Sequence, residues 1–85
     1  MNIEEQMNAV LACFPGHSDK SIKIGDIILP QHVATYFMIA PMKAIAVLNQ
    51  LCEAGYLEYE EATECKVAGY HLTQKGFAFY IQNCK

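Results

Sequence analysis

Apolar residues recur near the start of the chain at Ile3, Met7, Val10, Leu11 and Phe14. Their offsets of 4, 7, 8 and 11 from Ile3 form one stripe of a helix. Asn2 can cap that helix, Glu4 and Glu5 suit its positive end, and Pro15-Gly16 stops it, which predicts a helix near 3–14. HSDKS reads as a polar loop. In SIKIGDIIL, Ile22 and Ile24 fall on one face and Lys23 on the other, the alternation of a short strand, with Gly25-Asp26 a bulge or turn within it. Pro30 suits the first position of a short helix near 30–38, and Pro41 starts another near 41–53. The second carries Ala44, Ile45, Leu48, Leu51 and Cys52 at helical spacing and ends at Gly55. YLEYEE and CKVAGYHL alternate on either side of Ala62-Thr63-Glu64 and predict a β-hairpin near 56–72. Thr73 then caps a last helix near 74–83, in whose first turn Gly76 costs about 1 kcal/mol relative to alanine. The predicted order is α-β-α-α-β-β-α, an α+β fold.

Composition narrows the picture. At 85 residues and 9.5 kDa, positions 1–85 make a single domain, and 53% hydrophobic against 18% charged residues excludes a disordered tail. The formal charge is −3, and all six cations are lysines. A chain without arginine is a poor non-specific binder of nucleic acid, because that affinity comes from a dense basic surface. It can still read sequence through one local patch. The start, MNIEEQMNAV, lacks the basic and apolar regions of a secretory leader, and no apolar run reaches the roughly 20 residues of a membrane span. The expectation is a cytoplasmic protein whose cysteines, at 13, 52, 65 and 84, are reduced core residues. No two of them form a CxxC pair, and neither Cys13 with His17 nor Cys65 with His71 has the geometry of a ligand pair. No cysteine or serine has a base placed near it. No metal, cofactor or catalytic residue is expected.

Two short helices joined by a tight turn and followed by a hairpin is the winged helix-turn-helix order. The segment VATYFMIAPMKAIAVLNQLCEAGYLEYEE resembles the helix-turn-helix of MarR- and PadR-type bacterial regulators. Ala34 matches the small residue of the first helix, and Leu51, Gly55, Tyr56 and Leu57 match the end of the second. YHLTQKG is similar to the close of the wing, through Leu72, Thr73 and Gly76. The resemblance covers roughly residues 27–80. It implies a winged helix of bacterial or phage type that binds duplex DNA and regulates transcription as a homodimer, with helix 41–53 in the major groove.

On a helical wheel, Pro41, Ile45, Leu48, Leu51 and Cys52 turn toward the core. Lys43, Ala46, Gln50 and Glu53 point away, with Met42 and Asn49 on the flank. Asn and Gln bond adenine edges and Lys meets guanine or phosphate, so Lys43, Asn49 and Gln50 are the expected readers, with Met42 and Lys66 beside them. The acidic run Glu58, Glu60, Glu61 and Glu64 argues against a wing on DNA and suits a basic protein partner. Phe77-Ala78-Phe79-Tyr80-Ile81 is apolar on more than one helix face. If Phe77, Tyr80 and Ile81 close the core, Phe79 is left over. That predicts a homodimer through Ile3, Met7, Phe79 and Tyr80. The alternative function is a winged-helix interaction module, such as an adaptor, anti-repressor or anti-defence factor, that does not bind DNA.

Overall fold

The computed structural model describes residues 2–14 and 16–83. The expected stop at Pro15 and the cysteine at 84 lie outside them. Helix α1, Ile3–Leu11, is closed at its start by a reciprocal cap. Asn2 Oδ1 accepts from the Glu5 amide at 2.8 Å, and Glu5 Oε1 accepts from the Asn2 amide at 3.4 Å. The helix ends earlier than its apolar stripe predicts, because the Cys13 and Phe14 amides donate three residues back, to Val10 O and Leu11 O, rather than four, yet Phe14 remains buried in the loop that follows.

Strand β1, Ile27–Ile28, lies later than predicted. Ile22 is buried from a loop and Ile24 is exposed, so the alternation read there is not a strand. Gly25, at φ +91°, makes a turn that no L-residue favours, and the ladder begins only there. The Gly25 amide donates to Leu72 O, and the Leu72 amide donates to Asp26 O, each at 2.9 Å.

Helices α2, Pro30–Phe37, and α3, Pro41–Glu53, begin on their prolines as expected. Met38, between them, holds a left-handed backbone at φ 57°, a cost that a residue with a Cβ bears only when the turn demands it. Gly55, at φ +90°, ends α3. Strands β2, Leu57–Glu60, and β3, Gly69–Leu72, are shorter than the alternation suggests. Residues 61–68 form the connecting loop, where Thr63 Oγ1 accepts from the amides of Cys65 and Lys66. All pairing is antiparallel, in the order β1-β3-β2, with Leu57 opposite Leu72 and Tyr59 opposite Tyr70. Helix α4, Gln74–Asn83, completes an α+β domain of four helices and a three-stranded sheet among the described residues.

The core lies between α1, α3, the inner sheet face and α4. Met7, Leu11, Ala44, Leu48, Leu51 and Leu72 are fully enclosed there. Two expectations about that core need correction. Phe79 is buried against Tyr56, ring centroids 5.1 Å apart, and Tyr80 and Met7 are buried too. The buried stripe of α4 is Gly76, Phe79 and Tyr80, while Ile81 is exposed. Helices α1 and α4, expected to meet across a dimer, pack together within one chain, and Ile3 sits half-buried against the core. Met7, Phe79 and Tyr80, named for the predicted dimer, are therefore core residues of the single chain rather than exposed ones.

Candidate interaction face

Helix α3 is anchored by Ala44, Leu48 and Leu51, all inaccessible to solvent. This rotates it from the wheel drawn on sequence. Pro41 is exposed and Ile45 is 40% exposed, while Ala44 takes the inward place. The small side chain lets the helix approach its neighbours, and that outweighs the greater hydrophobicity of Ile45. Met42 is consequently 83% exposed, and Met42, Ala46, Asn49 and Glu53 run down the middle of the solvent face at spacings of 4, 3 and 4. The turn before α3 adds Met38, 91% exposed, and α2 adds the exposed Tyr36 and Phe37, their rings edge-on at 4.9 Å.

The hairpin flanks this face on one side. Ile45 and Asn49 share a cleft of about 360 Å³ with Pro30, Tyr59, Ala68 and Tyr70. Tyr70 Oη donates to Asn49 Oδ1 at 2.9 Å, which holds the amide toward the cleft. Tyr59 is half exposed and meets the Tyr70 ring edge-on at 5.3 Å. The opposite flank of α3 carries Lys43 and Val47, which line a groove of about 700 Å³ against α1 and α2. The expected readers are thus divided: Lys43 on the groove side, Asn49 in the cleft, Gln50 exposed, and Lys66 out in the hairpin loop. All four are solvent-exposed, but no cation stands in the middle of the face.

The acidic run is divided as well. Glu58 pairs in register with His71 on the sheet face opposite Tyr59. The imidazole Nδ1 is 3.0 Å from Glu60 Oε1, and Nε2 is 3.8 Å from Glu58 Oε2. Glu61 and Glu64 stay in the exposed loop beside Lys66, and Glu53 ends the α3 stripe. Sequence reasoning missed Met38, Ile45 and Tyr59. A signal for the first was available, since a methionine between two helices touches neither core stripe.

Burial pushes the Cys13 thiol up to about 11, and burial followed by the nearby Glu58 carboxylate raises Cys52. Both stay protonated at neutral pH. Among the described residues, no three His, Cys, Asp or Glu side chains converge on a metal position, and no helix is long and apolar enough to cross a membrane. Comparison with protein-family models, curated proteins and solved structures finds no match to this chain.

Proposed function

We propose that the chain is a winged-helix interaction module that docks a protein partner on the outward face of α3 and the turn before it. The observation that carries this reading is the exposure of Met38, Met42, Ile45 and Tyr59 where a DNA reader needs cations and amides. The element order and the β1-β3-β2 sheet support the winged-helix part. The rim supports the choice of partner. On α3 and the hairpin loop the exposed Glu53, Glu61 and Glu64 outnumber the exposed Lys43 and Lys66, which favours a partner with apolar anchors flanked by basic groups.

Duplex DNA is the second reading, favoured by the exposure of Lys43, Asn49, Gln50 and Lys66. Two lysines in reach give a salt slope of about −2, shallow for a duplex binder. One pair of experiments separates the readings. Partners captured by the wild-type chain should be lost with Met42→Asp and Ile45→Asp, which alter exposed positions, and kept with Gln50→Ala. Selection from random duplexes at low salt should enrich nothing. Enrichment of a sequence whose binding disappears in Gln50→Ala would transfer the function to DNA.

A further inference from the structure

The groove between α1, α2 and α3 lies on the flank of α3 away from the hairpin cleft and shares Phe37 and Lys43 with the edge of the docking face. Its floor is Val10 and Val33, both buried, and its walls are Phe37, Ile39 and Val47. A volume of about 700 Å³ is in the range of small-molecule sites. Two polar groups enter it. Lys43 stands exposed at the rim, and no carboxylate pairs with it among the described residues. Gln6 reaches in from α1 with its Oε1 shut off from water and without a hydrogen-bond partner.

An apolar trough with Lys43 exposed at its edge is complementary to a molecule with a hydrocarbon body and one anionic end. We infer that this groove binds a free alkyl carboxylate, the chain lying on Val10 and Val33 and the carboxylate accepting from the Lys43 ammonium. A neutral amphiphile lacks the charge that Lys43 would meet. A peptide carboxylate brings backbone groups that this lining does not satisfy. The inference does not depend on what the α3 face docks.

The test is titration of the full chain with sodium octanoate, sodium decanoate and 1-octanol, followed by amide nuclear magnetic resonance shifts. Octanoate should cause saturable shifts at Gln6, Val10, Val33, Phe37 and Val47. Two further methylenes should make decanoate bind about 15-fold tighter. Lys43→Gln, at an exposed position, should weaken octanoate about fivefold and leave 1-octanol unchanged. Phe37→Ser should weaken all three ligands, and its amide spectrum reports whether the fold survives; Lys43→Gln decides the matter if it does not. The inference is overturned by shifts that fail to saturate, by shifts centred on Tyr59 and Ala68 in the other cleft, or by equal octanoate affinity in wild type and Lys43→Gln.

Discussion

Replacing Gly76 by alanine sets a local rule against a tertiary one. Helix propensity alone makes Gly76→Ala stabilising by about 1 kcal/mol, since the residue lies inside α4. The packing demands the reverse. A Cβ at position 76 would overlap the Tyr56 carbonyl oxygen and come within 2.7 Å of Leu72 Cδ1. That carbonyl is committed: it accepts from the Thr73 amide at 3.2 Å and lies 2.9 Å from Thr73 Oγ1, which in turn caps α4 by accepting from the Gly76 amide at 3.1 Å. Backbone cannot swing aside as the end of a long side chain can. Helix α4 must lift instead, loosening Phe79 from Tyr56. Two hydrogen bonds at about 1 kcal/mol each and overpacking of about 1–3 kcal/mol, less the propensity gain, leave a loss of about 2–4 kcal/mol. Urea unfolding followed by circular dichroism measures it as a lower midpoint at unchanged slope. Ala78→Gly, at an exposed position of the same helix, is the control and should lose only the propensity value of about 1 kcal/mol. The reasoning fails if Gly76→Ala is as stable as wild type or more so.

Phe79→Ala should cost about 3–5 kcal/mol by opening the space beneath Tyr56. Sedimentation equilibrium and circular dichroism together check it: a variant that stays fully folded and merely falls from a dimer to 9.5 kDa would return Phe79 to an interface. The Cys13 thiol titrates near 11 in the fold, above its ordinary value of 9.0, so the folded state holds the proton more tightly. Its contribution to stability is complete below pH 9.0 and is lost as pH rises through about 11. Urea midpoints of wild type and Cys13→Ala should therefore converge across that window, and iodoacetamide at pH 8 should reach the exposed Cys65 before Cys13.

The split between legible and illegible features follows the range of the forces involved. Element starts and stops were open to reading because they are settled within a few residues. Asn2 and Glu5 cap each other, Pro30 and Pro41 sit where their missing N–H is harmless, Gly55 takes a positive φ, and Thr73 closes the first turn of α4. The strand was misplaced because Ile22 and Ile24 alternate as well as any strand, whereas pairing with β3 begins only beyond the Gly25 turn. In the candidate site, Lys43, Asn49 and Gln50 were recognised as exposed polar groups of α3. Their division between groove and cleft was not, because it depends on which elements flank the helix.

By itself, the sequence determined an α+β order, its punctuation and an arginine-free, acidic surface. These rest on local backbone preference, periodicity and composition, which need no knowledge of neighbours. The choice between adjacent apolar side chains belonged to the tertiary structure. Ala44 faces inward and Ile45 outward because close approach favours the smaller residue, and Phe79 is buried ahead of Ile81 because Gly76 fixes the face on which α4 can touch Tyr56. From the first of these comes the outward exposure of Met42 and Ile45, since a helix turned to seat one stripe presents whatever lies opposite it.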